Sequence, residues 1–499
     1  MNARLIKETR DLLPIFAYTL PLIVVPQLIW PLLGFGYFAL APACAVMAGS
    51  SFGAEFQHRT LSLLLSQPIP RSVIWRDKML VLGAGIVTSL VALLLCLAVS
   101  DQVIGGPGWP ALVFIPLCAF CGAPFWTLLL RQGIGGIVAA VGAPCGILAV
   151  YALVTEQFSG NEPATLVPAV LCLLLIYCAI VYWLGYATFK RLEVVDMRVK
   201  ELSLPTGLEA FFVRPLTKAT TPFRGPFATL LKKEFRLQQV SFLLAGIFVL
   251  IAVAGICLIK RRPEIASAII GGDICVYALI LPLIAGAISV AEERGWEMAE
   301  WHLTLPPSAL KQWSAKLLAT LSTSLVLGLL LPTALVAGQA LSDKVAIRSA
   351  LPPPPEILGW VLAQMLVTSV AIYTASYSRN TLRAILSAFA IIIAGCGICA
   401  WVGIHAAKMI EPYLFIERNT AQVDRHLSVE VQLKTLIPLL IPGGLFLMLC
   451  VVQWFAWSNF RRYGASAGRI VVQLLVLFFV PGLTASAIAL AIFTLVFRH

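Results

Sequence analysis

The chain has 499 residues, 60% of them hydrophobic and only 12% charged, with a mean hydropathy of +0.91. Water-soluble domains carry about 25% charged and about 45–50% apolar residues, so a soluble fold is excluded and a polytopic membrane protein is the starting class. The net charge of +12 does not point to a nucleic-acid partner, because the placement of Lys and Arg follows a membrane topology.

In chain order, apolar stretches long enough to cross about 30 Å of hydrocarbon are expected at 12–31, 35–53, 79–99, 109–130, 134–154, 166–188, 240–259, 270–290, 317–338, 357–377, 384–404, 435–459 and 470–497. Residues 1–30 have the basic start of a signal peptide. Pro14, Pro21 and Pro26 interrupt the apolar run, however, and no small-x-small cleavage site follows, so it reads as a retained first span. With the N-terminus in the cytosol, 26 of the 36 Lys and Arg fall on the cytoplasmic face, while the first three opposite loops carry none. The positive-inside rule therefore predicts a cytosolic N-terminus. The twelve cysteines lie nearly all in apolar runs and behave as small hydrophobes rather than as a disulfide framework.

Several landmarks recur in order. Leu5-x-Lys7-Glu8-x-Arg10 returns as Leu231-x-Lys233-Glu234-x-Arg236, 226 residues later. Glu55, Pro68, Trp75 and Lys78 match Glu293, Pro306, Trp313 and Lys316, all at an offset of 238. Arg131-Gln132 finds Arg379-Asn380, and Phe189-Lys190-Arg191 finds Phe460-Arg461-Arg462. The chain is thus expected to hold two six-span halves, 1–191 and 227–462, joined by a basic cytoplasmic linker, 192–226, with an additional helix at 470–497. Six spans being even, the halves are parallel repeats, with the pathway expected at their seam.

Each half opens on an amphipathic segment expected to lie in the interface with its bases towards anionic lipid headgroups. In each, an acid falls within the apolar arc: Glu8 in the first, Glu234 in the second. Two readings stand. The carboxylate pairs with a nearby base, or it anchors the interface helix to a moving bundle or a partner. After the second span of each half comes a loop with a short apolar helix and a proline break, at 53–78 and 291–316, with Ser72 or Ser308 as candidate N-cap of the next span. That helix is too short to span and must lie against something, either the bundle itself or a soluble partner.

At these residues the chain resembles the permease subunits of ABC-2 type ABC transporters. Glu55, Arg59, Thr60, Leu61, Leu64, Leu65, Pro68, Arg71 and Lys78 stand in that family's coupling-loop pattern; the second copy keeps Glu293, Pro306 and Lys316, lacks the Thr-Leu pair and the Arg after the proline, and adds Arg294 as a coupling candidate by the same acid-then-base order. Lys7, Glu8, Lys233 and Glu234 stand in its interface helices. The resemblance implies an all-α, type V exporter-like fold with the two halves fused, so that one copy of the chain suffices for the transmembrane part. It also implies two copies of a cytoplasmic ABC ATPase as partner and location in the cytoplasmic membrane.

No phosphate-cradling Gly-x-x-x-x-Gly-Lys-[Ser/Thr] occurs, so the chain is expected to be a non-catalytic permease, with ATP and Mg on the partner. An ion-coupled secondary transporter with twelve spans is the alternative, though the span centres carry almost none of the acidic or His residues that class uses. Cys118-x-x-Cys121 and Cys396-x-x-Cys399 lack a nearby His and read as core cysteines before a Cu(I)-handling pair. Asp273 reads as an interfacially solvated acid before a pathway residue.

Overall fold

The computed structural model describes residues 3–29, 35–57, 60–99, 109–158, 166–192, 225–258, 263–295, 307–342, 354–378, 380–398, 423–462 and 466–480. Among these the chain is helical without a strand, as an apolar sequence must be where only intra-segment hydrogen bonds can satisfy the backbone. The helices are α1 (Ala3–Ile29), α2 (Phe35–Gln57), α3 (Leu61–Leu65), α4 (Arg71–Val99), α5 (Trp109–Leu130), α6 (Gly133–Phe158), α7 (Leu166–Arg191), α8 (Pro226–Leu237), α9 (Gln239–Leu258) and α10 (Pro263–Gly295). They continue with α11 (Ala309–Leu325), a π-turn at Val326–Leu330, α12 (Leu331–Ser342), α13 (Pro354–Ala375), α14 (Thr381–Ile398), α15 (Val423–Arg461) and α16 (Ala467–Val480).

Nine helices among the described residues are long and apolar enough to cross a membrane, which makes the chain a multi-pass α-helical membrane protein. The nine do not include α1 and α2, which carry the expected spans at 12–31 and 35–53, and α6 and α16 contain shorter apolar helices. Three local expectations are corrected. The first amphipathic segment is not a separate interface helix: nothing between Ala3 and Leu13 breaks it, and it runs straight on into α1. The second, α8, does end, at Gln238, whose backbone and side-chain oxygens accept from the amide and hydroxyl of Ser241. Ser72 caps nothing: α4 starts from Pro70, whose carbonyl accepts from Val73 and Ile74, while Ser308 holds the N-cap position of α11 without a hydroxyl cap bond. Finally, α15 begins before the expected span 435–459 and takes in 423–434 from the expected external loop.

Two compact units are present. The first comprises Met1–Ala228, Arg236–Tyr277 and Thr381–Leu386, and the second Thr229–Phe235, Ala278–Asn380 and Ser387–His499. In the first unit α2 packs on α1, α5 and α6, α5 on α6 and α7, and α6 on α9. The α2–α6 approach is made by a small-residue stripe, Gly49-x-x-x-Gly53: a methyl on Gly53 would meet the Cα of Gly133 at 2.9 Å, and one on Gly49 would meet Ile137 at 2.3 Å. In the second unit α13 packs on α11 and α15. Gly286 of α10 touches α13 so closely that a methyl there would lie 2.5 Å from the Thr368 carbonyl. The start of the expected tail helix, α16, is tied in by Gln473, which bonds Tyr373 at 3.2 Å and Asn459 at 3.1 and 3.2 Å. The expected kink at Pro481, and most of the linker 192–226, lie outside the described residues.

Candidate functional site

The charged residues that stand out in the sequence meet in two buried clusters, one per unit. In the first unit, α1 brings Lys7 and Glu8, the last turns of α2 bring Ser51 and Glu55, and the first turns of α4 bring Lys78. The Lys78 ammonium donates to Glu8 Oε2 at 2.7 Å, to Glu55 Oε1 at 3.2 Å and to the Ser51 carbonyl at 3.1 Å, filling all three of its donor sites. Lys7 adds a fourth charge, 3.4 Å from Glu55 Oε1, and the Thr60 hydroxyl donates to Glu55 Oε2. Lys78 is 2% exposed and Glu55 5%. Two acids and two bases leave the group neutral, which is the condition for burying it.

In the second unit the same atoms recur. The Lys316 ammonium donates to Glu234 Oε1 at 2.9 Å and to the Ser289 carbonyl at 3.0 Å, and lies 2.8 Å from Glu293 Oε2. Lys233 donates to Glu293 Oε1 at 2.6 Å. In both clusters the carbonyl partner lies 27 residues before the lysine, in the turn that precedes the acid.

Next to each lysine stands a tryptophan in an aromatic nest. Trp75 lies 5.2 Å from Phe52 and 5.6 Å from Phe189, and Trp313 lies 5.1 Å from Phe460 and 5.9 Å from Trp457. The nests fix the rotation of α4 and α11 and so aim the lysines at the acids. In the first, Lys78 also stands 5.5 Å from the centre of the Phe52 ring.

The acids of the clusters answer burial differently. Burial pushes the Glu55 carboxyl up, but Lys78, the Thr60 hydroxyl and Lys7 together outweigh it and hold Glu55 below the ordinary carboxylate value. Burial raises Glu234 as well, and there Lys316 and Lys233 do not offset it, because the neighbouring Glu293 charge adds to the rise. Burial raises Glu293 too, yet Lys316 and Lys233 hold it low, like its counterpart Glu55.

Of the sequence-predicted residues, Lys7, Glu8, Glu55, Thr60 and Lys78 come together, as do Lys233, Glu234, Glu293 and Lys316. Of the two readings of the acids, the pairing is the one on view: Glu8 pairs with Lys78 and Glu234 with Lys316. The rest of the coupling set stands apart. Leu61 is buried with Leu64 and Leu65 on one face of α3, while Leu63 is 66% exposed and Pro68 lies exposed in the turn beyond. Arg71 donates to the Lys190 carbonyl at the end of α7. Arg294 is half-buried at the end of α10. Arg59 and Pro306 lie outside the described residues.

Sequence reasoning missed the serine carbonyls, since a main-chain acceptor leaves no mark on the sequence. It also missed the Arg4–Asp77 and Arg76–Asp77 contacts at 3.8 and 3.5 Å, although the charges were visible. Cys118 and Cys121 are joined by Cys178, with Cys118 Sγ 3.7 Å from Cys178 Sγ, inside an apolar cluster with Leu174, Tyr177 and Val181. Among the described residues no three His, Cys, Asp or Glu side chains are arranged to hold a metal ion. Compared with models of known protein families, with curated proteins and with solved structures, the chain finds no match.

Proposed function

We propose that the chain is the transmembrane permease subunit of an ATP-binding cassette transporter of the ABC-2 type, with two six-span halves fused. In this reading a separate cytoplasmic ATPase, bound in two copies, drives alternating access and moves substrate, in the direction of export, across the cytoplasmic membrane. The observation that supports it best is the duplicated cluster. One lysine per unit locks an amphipathic segment, the end of one helix and the start of another into a rigid corner, in the first unit beside α3, which is too short to span.

Such a corner is what a coupling element needs mechanically. A push on α3 reaches α4 through the turn at 66–70, and Lys78 passes it to α1 and α2 without slack. The duplicated corner suits a partner with two equivalent surfaces. In this reading the buried Glu55, Lys78, Glu293 and Lys316 hold the corner in shape, and exposed Leu63 and Pro68 offer the contact.

The test looks for a P-loop ATPase encoded beside the chain, then co-expresses the two, followed by affinity purification and ATPase assay in lipid nanodiscs. The chain alone is expected to hydrolyse no ATP, and the complex to contain two ATPase copies per permease and to turn over. ATP turnover by the lone, contaminant-free chain, or ion-gradient-driven transport without any ATPase, would reject the reading.

A further inference from the structure

Above its buried lysine, α11 differs in kind from α4. Counting from Lys78, the positions four, seven and eight residues on are Leu82, Gly85 and Ile86. Counting from Lys316 they are Thr320, Thr323 and Ser324. At 100° per residue these lie within about 100° of arc on the buried face of α11, over about 12 Å of axial rise. Thr320 is 1% exposed and Thr323 2%.

The hydroxyl oxygens of both threonines have no hydrogen-bond partner among the described residues. This sets them apart from Thr333 and Thr368, which donate to carbonyls a turn earlier, at 2.9 and 2.8 Å. One position on from Thr323, Ser324 shares a 2.7 Å hydrogen bond with Thr368 and accepts from the Gln364 amide at 3.4 Å. That amide lies against Gly328, in the π-turn at Val326–Leu330, where a methyl would be 2.1 Å from it.

A membrane-spanning helix gains nothing from hydroxyls left unpaired in a dry interior, where each loses its hydration without return, and Leu82 and Ile86 show that the lysine cluster itself tolerates apolar neighbours. Groups of this sort are met by bound water, which needs two or more polar partners. Thr320, Thr323, Ser324, Thr368 and Gln364 offer them.

We propose that the second unit binds a short chain of ordered water along this track, from Thr320 to the π-turn, and that the corresponding face of α4 binds none. The π-turn, by breaking the regular helix where the track ends, sets its upper limit.

The test uses the full chain in lipid nanodiscs, threonine-methyl labelled, with magnetisation transferred from water to methyl groups by NMR. The Thr320 and Thr323 methyls are expected to receive water magnetisation despite their burial. The isosteric Thr320→Val and Thr323→Val double variant removes both water anchors and is expected to lower Tm by a few degrees. Threonine methyls that receive no transfer would overturn the proposal. So would a rise in Tm of the double variant, because replacing dry, unpaired hydroxyls by methyls removes a penalty instead of a ligand.

Discussion

Replacing Lys78 by Met keeps the length and the apolar stem of the side chain and removes only the ammonium. At an effective dielectric near 20, the ion pairs at 2.7 and 3.2 Å are worth about 6 and about 5 kcal/mol in gross Coulomb energy. Most of that is cancelled in the parent by the cost of taking the ions out of water, several kcal/mol for each. In the variant the cancellation fails: Glu8 and Glu55 stay buried beside each other and only the half-exposed Lys7 remains to face them. Removing one partner of a buried pair costs about 3–5 kcal/mol, which corresponds to a fall in Tm of about 5–9 °C for a cooperative unit of this size. The assay is thermal unfolding of the full chain in nanodiscs. The decisive comparison is the triple variant Lys78→Met, Glu8→Gln, Glu55→Gln, which removes the stranded charges and should recover most of the loss. A Lys78→Met protein as stable as the parent, or a triple variant no better than the single one, would refute the account of a cluster stabilised by mutual neutralisation.

Three more outcomes follow from the geometry. Gly53→Ala puts a methyl 2.9 Å from the backbone of Gly133 and should cost about 1–3 kcal/mol, while Gly272→Ala, with nothing within 4 Å, should be tolerated, both read as Tm. Arg131 holds the turn between α5 and α6 at φ 52°; Arg131→Gly should fold as well as the parent, and Arg131→Val should lose about 1–2 kcal/mol, since a β-branched side chain fits that conformation worst. Because Glu55 is held below its ordinary value of 4.5, its contribution is present above that pH and is lost as pH falls through the depressed value; acid unfolding of the parent should be steeper than that of Glu55→Gln, and curves of equal slope would refute it.

The helices were legible because lipid enforces a single solution for the backbone, and hydropathy reads it directly. The acids Glu8 and Glu234 could be flagged as misplaced within an apolar arc, but their partners could not be named. Lys78 sits 70 residues from Glu8, and only the folded α1–α2–α4 junction brings the two together. Gly49-Ser50-Ser51-Phe52-Gly53 was open to view as a close-packing signal and passed unread, since small residues in an apolar run carry no charge or periodicity to mark them. The hydroxyl face of α11 was hidden for the opposite reason: threonine is common in spans, and nothing local tells a bonded hydroxyl from an orphan.

The lysine junctions also bear on how the chain is made. Glu8 leaves the ribosome 70 residues before Lys78, an interval of about 4–14 s at typical synthesis rates, and α1 and α2 must be handled by the insertion machinery during that time with Glu8 lacking its buried counter-ion. Only when α4 arrives does one side chain close the corner. The first unit therefore carries an internal order of assembly: α1 is written before α4 and cannot be finally seated until α4 is in place. A truncation that ends before Lys78 would leave a pair of helices with nothing to dock against.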